Sequence, residues 1–247
     1  MSNHPVWDRV YETYTSDHAG LSDRRACSFA YRRDIRPHLR PATERPCRVL
    51  DIGCGQGDLV GLMQADGIEA YGVDISPEQV EVARSRGLDR VCLGDFHSRL
   101  RAEPGTWDAV VATDILEHLS KDDVVRTFDE VRAALRPGGR FLARVPNAVS
   151  PTGGHIMYGD ITHRTWFTRR SVAQLAAVAG FESVRISACP PPVHGFASLV
   201  RSVVWSSISA TWKVALAAET GQLRGHIVTQ NLVFVARRSE HAGMGKL

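Results

Sequence analysis

Acidic residues and glycines occur together at two neighbouring places in the sequence, in a pattern that could bind a nucleoside. Residues 49–59 read Val-Leu-Asp-Ile-Gly-Cys-Gly-Gln-Gly-Asp-Leu, and residues 73–75 read Val-Asp-Ile. Glycines let the backbone come close to a ligand where a Cβ would collide. The carboxylate of Asp74 is suited to accept hydrogen bonds from the two hydroxyls of a ribose. Together the two segments predict a site for a nucleoside cofactor.

The acid before the glycines indicates the charge of the ligand. A dinucleotide-binding turn has the spacing Gly-x-Gly-x-x-Gly and a helix N-terminus that receives a pyrophosphate. Here the spacing is Gly53-x-Gly55-x-Gly57, and the carboxylate of Asp51 would repel a diphosphate. An acid at this position favours a cationic ligand, such as an ammonium group next to a sulfonium. The alternative is a generic turn that binds NAD or no ligand.

These residues require a sheet that brings several strand ends to one edge. From Cys47 to about Val145, short apolar runs alternate with helical segments, as in a parallel sheet covered on both faces. The predicted fold class is α/β, a Rossmann-like seven-stranded, mostly parallel sheet. The predicted strands are Arg48–Leu50, Glu69–Val73, Arg90–Leu93, Asp108–Ala112, Arg140–Val145, Glu182–Ser187 and Ile227–Ala236. The predicted helices are Gly57–Ala65, Pro77–Arg86, Asp122–Leu135 and Arg169–Ala179.

Over residues 47–188 the chain resembles the class I S-adenosylmethionine-dependent methyltransferases of the small-molecule type, including ubiquinone-pathway and sugar or natural-product O-methyltransferases. Their first motif has the form V-L-D-x-G-C-G-x-G. The resemblance implies that the glycine turn faces the methionine part of S-adenosylmethionine and that the acid after the second strand holds the ribose. It implies an acid and an apolar residue at the adenine. The residues so implied are Asp51, Gly53, Cys54, Gly55, Asp74, Ile75, Asp95, Phe96 and Asp114, with Tyr11 and Tyr14 closing over the cofactor.

The adenine assignment has an alternative reading at one residue. Gly94-Asp95-Phe96 follows the third predicted strand, which is the position that the resemblance requires. The same three residues are also typical of an ordinary turn in which the aspartate caps a following segment.

A second group of acids and imidazoles could act on the molecule that receives the methyl group. Asp114, Glu117 and His118 have i, i+3, i+4 spacing and would point to one side of a helix. Ubiquinone-pathway O-methyltransferases and small-RNA 3′-end methyltransferases carry a similar E-x-x-E-H element that, with a distant ligand, holds Mg²⁺. The resemblance therefore implies a divalent-metal site, completed by His163 or His155. Alternatively, Glu117 and His118 line a metal-free pocket, as in many class I methyltransferases.

The polar segment from His155 to Thr168 follows the fifth predicted strand, where the acceptor should bind. A hydroxyl acceptor must lose a proton, which requires a general base or a metal ion. His163, oriented by Asp160, is the predicted base, with His118 as a further catalytic candidate, because imidazole titrates in the useful range. The alternative for His163 is an ordinary loop histidine beside a helix cap at Thr168.

The two ends of the chain extend this core. Residues 1–46 are predicted to form an N-terminal helical cap, and residues 47–247 the methyltransferase domain with a helical insertion at 190–225. The predicted roles of the insertion are a lid over the acceptor, a homodimer contact through residues 196–217, or contact with a membrane surface. Its apolar residues at helical spacing are Phe196, Leu199, Val200, Val203, Val204, Ile208 and Trp212.

Composition narrows the class of partner. A net charge of +3 without a long basic run predicts no nucleic-acid partner. Five scattered cysteines without C-x-x-C spacing favour a reducing cytoplasm over a zinc site or disulfide framework. The sequence predicts no signal peptide, and no transmembrane segment, because no apolar stretch reaches about 18 residues.

The predicted function is methyl transfer from S-adenosylmethionine to a hydroxyl of a small molecule, such as a sugar or natural-product intermediate. The alternatives are N- or C-methylation of a small metabolite, methylation of RNA or protein, and a non-catalytic scaffold that only binds the cofactor.

Overall fold

The computed structural model describes residues 24–39, 46–193 and 195–240. Its helices are α1 (Arg24–Ala30), α2 (Asp58–Ala65), α3 (Pro77–Ser85), α4 (Phe96–Ala102), α5 (Lys121–Ala134), α6 (Gly153–Met157), α7 (Arg169–Val178) and α8 (Phe196–Thr220). Its strands are β1 (Arg48–Ile52), β2 (Glu69–Asp74), β3 (Val91–Leu93), β4 (Trp107–Thr113), β5 (Leu135–Pro146), β6 (Ser183–Cys189) and β7 (Asn231–Arg237). The cofactor candidates Tyr11 and Tyr14 lie outside the described residues.

The strands form a seven-stranded sheet in the order β3-β2-β1-β4-β5-β7-β6. β1 pairs in parallel with both β2 and β4, and β2 pairs in parallel with β3. β6 and β7 pair antiparallel. Val49, Leu50 and Ile52 of β1 are fully buried, as expected for a central strand covered on both faces. The structure therefore confirms the predicted α/β, mostly parallel fold.

Internal packing divides the chain into two compact units. Unit 1 comprises Met1–Ala112 and Ala133–Arg140, and unit 2 comprises Thr113–Arg132 and Phe141–Leu247. In unit 2, the buried rings of Phe128, Phe141 and Phe234 lie 5.3–5.6 Å apart and join α5, β5 and β7. Within the described residues, no helix is both long and apolar enough to cross a membrane. The predicted domain boundary at residue 46 stays a prediction.

Two helices of the structure were not among the predicted ones. Helix α4 begins after Asp95, whose side chain caps it. Helix α6 lies in the polar segment between β5 and α7. In the described part of the predicted N-terminal helical cap, a π-helical turn (Tyr31–Ile35) and a 3₁₀ turn containing Pro37 follow α1.

The last strand begins four residues later than predicted, at Asn231 rather than Ile227. The side-chain amide of Asn147 donates hydrogen bonds of 2.8 Å and 2.9 Å to the carbonyls of Ile227 and Thr229. The backbone N–H of Asn147 donates to the Gln230 carbonyl at 2.9 Å. Because one distant asparagine binds these carbonyls, residues 227–230 adopt a loop instead of extending β7.

A close contact in unit 1 joins β2 to the glycine turn. A Cβ on Gly72 would lie 2.6 Å from the Sγ atom of Cys54 and 3.1 Å from Cγ2 of Val60. Both distances are shorter than ordinary van der Waals contact. Position 72 therefore requires glycine for as long as the cysteine stands in the turn.

Gly72→Ala should destabilise the protein by about 1–3 kcal/mol, the usual cost of forcing a methyl group into a packed site. Equilibrium unfolding in urea measures the difference. Gly94→Ala is the matched control, because a Cβ there would lie 3.8 Å from its nearest neighbour. Adding Cys54→Ala to Gly72→Ala removes the sulfur at 2.6 Å but keeps the Cβ of residue 54 at 3.0 Å, so it should restore part of the lost stability. An equal loss with and without Cys54 would contradict this explanation.

Candidate active site

The turn after β1 is built from glycines in the left-handed backbone conformation. Gly53, Gly55 and Gly57 have φ angles of 66°, 53° and 75°. L-residues with a Cβ rarely adopt this conformation, so the turn can form only where glycine recurs. Gly57 is also the residue from which α2 starts. The backbone N–H of Gly53 donates to the Val73 carbonyl at 2.9 Å, which joins the turn to β2.

The carboxylate of Asp74 fixes the turn from the end of β2. Its Oδ2 accepts a hydrogen bond of 2.8 Å from the backbone N–H of Gly55, and its Oδ1 accepts one of 2.9 Å from Ser76. Burial raises the pKa of Asp74, and the amides of Ser76 and Gly55 oppose this by favouring the charged form. Each carboxylate oxygen has a further lone pair for a hydroxyl donor. The ribose assignment stays a prediction that this geometry supports.

Asp51 is a buried carboxylate beside a second acid. Its side chain is 3% exposed. Burial, and then the negative charge of Asp74, raise the pKa of Asp51 well above its ordinary value. A cation close to both acids would reverse this effect, because an opposite charge favours the ionised form. This fits the prediction of a positively charged ligand group at the turn.

Cys54 occupies the middle of the turn, and its sulfur is part-buried. Burial raises the pKa of the Cys54 thiol far above its ordinary value, and the negative charges of Asp51 and Asp74 raise it further. The thiol is therefore protonated at neutral pH, and it contributes its size rather than its nucleophilicity.

The predicted adenine contacts have structural roles of their own. Asp95 accepts hydrogen bonds from the backbone N–H groups of His97 and Ser98 and from the Ser98 hydroxyl, at 3.3, 3.0 and 2.8 Å. Burial alone would raise the pKa of Asp95, but these hydrogen bonds together lower it. Phe96 is 7% exposed, whereas Ile75, directly after Asp74, is 40% exposed. The helix-capping alternative is thus observed for Asp95. The adenine contacts of Asp95 and Phe96 and the cofactor contact of Ile75 stay predictions.

Gln79 is a polar residue beside the turn that the sequence analysis missed. Its Oε1 is buried and has no hydrogen-bond partner among the described residues. The same atom lies 3.7 Å from the position that a Cβ on Gly55 would occupy, so it faces the turn. The Ser76 cap of α3, whose hydroxyl accepts from the Gln79 backbone N–H, was the available signal, because it places Gln79 in the first helical turn.

In unit 2, Asp114 follows β4 in a strained conformation. It has a φ of 54° and is the one non-glycine residue with positive φ in the described part of the chain. Its carboxylate accepts two hydrogen bonds from the guanidinium of Arg144, one of them 2.9 Å long. The backbone N–H of Asp114 also donates to the Arg144 carbonyl at 3.2 Å. Burial alone would lower the pKa of Arg144, but Asp114 raises it.

The predicted helical face of Asp114, Glu117 and His118 is wrong. Leu116–His118 is a single 3₁₀ turn, and Asp114 precedes it in the left-handed conformation. The three side chains therefore do not follow α-helical spacing. Asp114 is bound by Arg144 and does not belong to the group of ligand atoms formed by Glu117, His118 and His163. Its predicted roles toward a metal ion and the cofactor stay predictions.

Glu117, His118 and His163 form a cluster that could bind a cation. Each offers one ligand atom, and these atoms lie within 4.8 Å of one another. The rings of His118 and His163 are in edge contact, with centroids 4.8 Å apart. His155, the other predicted candidate for the distant ligand, is exposed and does not belong to the cluster.

Hydrogen bonds determine which nitrogen of each ring is basic. Thr162 donates its hydroxyl proton to Asp160 at 2.6 Å, so its oxygen must accept the 2.7 Å hydrogen bond from Nδ1 of His118. Nδ1 of His163 lies 3.0 Å from the Ile156 carbonyl, which can only accept. In their neutral forms both rings thus carry the proton on Nδ1 and have Nε2 as the basic atom.

The predicted orientation of His163 by Asp160 is therefore corrected. The hydrogen-bond chain that starts at the Asp160 carboxylate passes through Thr162 to His118, while the Ile156 carbonyl orients His163. This hydrogen-bond relay from Asp160 to His118 depends on Thr162, which the sequence analysis did not identify.

Glu117 supplies a buried carboxylate to this cluster. Its side chain is 2% exposed, and Oε2 has no hydrogen-bond partner among the described residues. Burial, followed by the charge of Asp114, raises the pKa of Glu117 well above its ordinary value, although Arg144 opposes the shift. A buried acid of this kind is stabilised by a proton or a cation. The donor set of one carboxylate and two imidazoles thus fits a divalent metal ion.

Residues 23–186 match a family model described as a methyltransferase domain. The chain belongs to this methyltransferase family. Membership confirms the class predicted from the glycine turn, a methyltransferase.

Relatives of this methyltransferase are recognisable over part of their length. An uncharacterized 37.1 kDa protein in transposon TN4556 of Streptomyces fradiae is 32% identical over 194 residues, 70% of this chain and 54% of that protein. A ubiquinone biosynthesis O-methyltransferase of Xylella fastidiosa (strain 9a5c) is 32% identical over 105 residues, 40% of this chain and 42% of that enzyme. The chain thus spans about half the length of these curated relatives.

A solved structure shares the fold of the methyltransferase. It is an S-adenosylmethionine-dependent methyltransferase from Archaeoglobus fulgidus, which superposes with a TM-score of 0.67 at 21% identity. The alignment covers 91% of this chain and 99% of that one.

The affinity for S-adenosylmethionine should fall as the pH is lowered through the pKa of Asp51. The pKa of this acid is raised in the free protein, so lowering the pH protonates the carboxylate and removes its attraction for the cationic ligand. Asp51→Asn should bind at least about tenfold more weakly at high pH, the effect of losing one charge-assisted contact. Calorimetric titration at several pH values measures both effects.

Asp51→Asn should also flatten the pH dependence, whereas the exposed Asp89→Asn should leave it unchanged. A wild-type affinity that does not vary with pH would show that Asp51 does not face the cation.

Glu117→Gln should stabilise the protein increasingly as the pH rises. Because the pKa of Glu117 is raised by folding, its contribution to stability is present at low pH and is lost as the pH rises through the folded pKa. Glutamine keeps the size but does not ionise. Urea unfolding of both proteins from pH 5 to pH 9, with a chelator present, measures the difference. A stability difference that is constant with pH would contradict a raised pKa at Glu117.

Proposed function

We propose that this protein transfers the methyl group of S-adenosylmethionine to a hydroxyl of a small molecule, such as a sugar or natural-product intermediate. The observation that carries the proposal is the cluster of Glu117, His118 and His163, in which two imidazoles present the same basic nitrogen. Oxygen acceptors need such a group, because a hydroxyl must lose its proton as the methyl group arrives. The Xylella relative, a ubiquinone biosynthesis O-methyltransferase, supports the same choice of acceptor atom.

The glycine turn of unit 1 is proposed to hold the donor. Asp51 would interact with the cationic methionine end, and Asp74 would accept hydrogen bonds from the ribose. Gln79, with its buried Oε1 facing the turn, would accept a further hydrogen bond from the donor. Methyl transfer is an in-line displacement, so the main contribution of these contacts is alignment of the sulfonium carbon.

His118 and His163 are proposed to receive the acceptor proton. His118 is supported by the relay through Thr162 to Asp160, which stabilises the ring when it becomes positively charged. The Ile156 carbonyl holds His163 with its basic Nε2 directed away from that hydrogen bond. Burial keeps the carboxylate of Glu117 beside the two rings largely away from water, which strengthens its attraction for an imidazolium.

The same three side chains are also proposed to hold a divalent metal ion. When bound, such an ion would lower the pKa of the acceptor hydroxyl and reduce the need for a base. Two imidazoles and one carboxylate suit zinc or iron better than Mg²⁺, which prefers oxygen ligands. The metal and the base are therefore alternative ways in which one cluster could activate a hydroxyl.

The proposed setting is a cytoplasmic enzyme that acts on a small molecule rather than on nucleic acid. The five scattered cysteines, which lack C-x-x-C spacing, support a reducing compartment. The small net charge of +3 supports an acceptor other than nucleic acid. N- or C-methylation of a small metabolite is the second candidate reaction.

Transfer of a radiolabelled methyl group from S-adenosylmethionine to panels of sugars, phenols and amines tests the reaction. We expect label on hydroxyl compounds. Label on amines alone would replace O-methylation by N-methylation. Binding of the donor without transfer to any class would favour a non-catalytic scaffold.

His118→Ala and His163→Ala should each lower kcat by about 10²-fold, the usual contribution of a general base. Binding of S-adenosylmethionine should be unchanged, and the matched control His155→Ala should retain wild-type turnover. Normal turnover in His163→Ala would remove that residue from the mechanism.

Treatment with a chelator distinguishes activation of the hydroxyl by a metal ion from activation by the histidine bases. Activity that disappears with chelator and returns with a metal ion would favour the metal site. Activity that survives would favour the histidines as bases.

A further inference from the structure

Helix α8 exposes a large apolar surface. Eight of its apolar side chains are between 40% and 83% exposed, among them Phe196 at 83%, Val214 at 69% and Val203 at 60%. The residues of the helix that are buried are Ser198 and Ser209. The Oγ atom of Ser209 has no hydrogen-bond partner among the described residues. The inward side of the helix therefore combines buried serines with the half-buried Trp205 and Leu216, and most of the other apolar side chains are exposed.

This arrangement differs from that of an ordinary surface helix, which buries its apolar stripe. Contiguous exposed apolar patches of several hundred Å² usually mark a contact with another molecule. α8 contacts its own unit through its other side, where Nε1 of Trp212 donates a 3.2 Å hydrogen bond to the Val149 carbonyl and Trp205 and Leu216 are half-buried. Its outward face is therefore available to a partner of matching chemistry.

Along the outward face, the larger side chains lie mainly in the first half of α8 and the smaller ones mainly in the second half. At roughly 100° per residue, Phe196, Val200 and Val203 lie along one side in the first half of the helix. Ser207, exposed at the middle, and Ala218, exposed near the end, continue the same side. The basic residues Arg201 and Lys213 are roughly 120° away from the centre of this face, so the face itself carries no charge.

We propose that α8 forms the contact of a symmetric homodimer, packed antiparallel against α8 of a second copy around a two-fold axis at Ser207. A two-fold contact requires a self-complementary surface. Pairing around residue 207 provides it, because it sets large side chains against small or medium-sized ones and allows close packing. The facing pairs are Phe196 with Ala218, Val200 with Val214, and Val203 with Thr211.

The exposed area agrees with a second copy as the partner. Of the eight exposed apolar side chains, five lie within roughly 60° of the centre of this face, namely Phe196, Val200, Val203, Val204 and Val214, and the exposed Ser207, Thr211 and Ala218 complete it. Together they present on the order of 600 Å² per copy, close to the roughly 800 Å² that one partner buries in a standard protein interface. A membrane surface fits less well. Helices that lie on anionic membranes are rich in lysine and arginine, whereas α8 carries Arg201 and Lys213 together with the acidic Glu219.

Sedimentation of the full-length protein over a range of concentrations tests the dimer. We expect wild type to be dimeric at micromolar concentration and Val203→Glu to dissociate at least about a hundredfold more readily, because each copy would bury a charge at the contact. Ser206→Glu is the matched control, since Ser206 is exposed on the same helix but roughly 100° from the centre of the face. It should remain dimeric, and circular dichroism should show all three proteins folded.

Cross-linking tests the position of the axis. Under mild oxidation Ser207→Cys should form a disulfide-linked dimer, because symmetric residues at the crossing point come within the Cα separation of about 4.4–6.8 Å that a disulfide requires. Ser206→Cys and wild type, which has the same five native cysteines, should not. A wild-type protein that is monomeric at every concentration would overturn the proposal, and so would equal cross-linking at 206 and 207. Binding of a monomer to phosphatidylglycerol vesicles would instead identify the face as a membrane contact.

Discussion

Each of the two units holds a carboxylate away from water without enough positive charge around it. Asp51 in unit 1 and Glu117 in unit 2 are each almost fully buried, and each lies near a second acid, Asp74 or Asp114. Burying an unpaired charge costs free energy that the surrounding structure must offset. The glycine turn, the Arg144 ion pair and the two imidazoles are the parts of the fold that make this arrangement tolerable. Such acids are most stable with a proton or a cation nearby. A sulfonium donor would supply the positive charge, and a hydroxyl acceptor would supply a proton.

The strained backbone at Asp114 is likewise offset by a nearby positive charge. A left-handed aspartate disrupts helical spacing and is compensated by two hydrogen bonds from Arg144, 30 residues along the chain. This pairing neutralises one acid of the cluster and leaves Glu117 as the carboxylate that can still respond to a cation. Of these two acids, which are three residues apart, Asp114 is held in an ion pair with Arg144. Glu117 keeps a carboxylate oxygen without a hydrogen-bond partner among the described residues.

Sequence patterns predicted the parts of the fold that are encoded locally. The apolar runs predicted the start of β1 and β2 to the residue, because a strand covered on both faces leaves little room for polar side chains. The glycine spacing predicted the turn, because left-handed φ angles favour glycine. Contacts between distant residues could not be predicted in this way. Asn147 shortens β7, Thr162 carries the Asp160 relay to His118, and Arg144 removes Asp114 from the cation cluster. Each depends on a partner at least 30 residues away or on the rotation of one side chain.

The high pKa of Cys54 has a further consequence for a protein that binds S-adenosylmethionine. A sulfonium methyl group is an electrophile, and a thiolate beside it would be a competing nucleophile that alkylates the enzyme itself. Burial and the charges of Asp51 and Asp74 keep the sulfur protonated. The two acids that are proposed to attract the donor would therefore also disfavour the thiolate form of the cysteine in the turn.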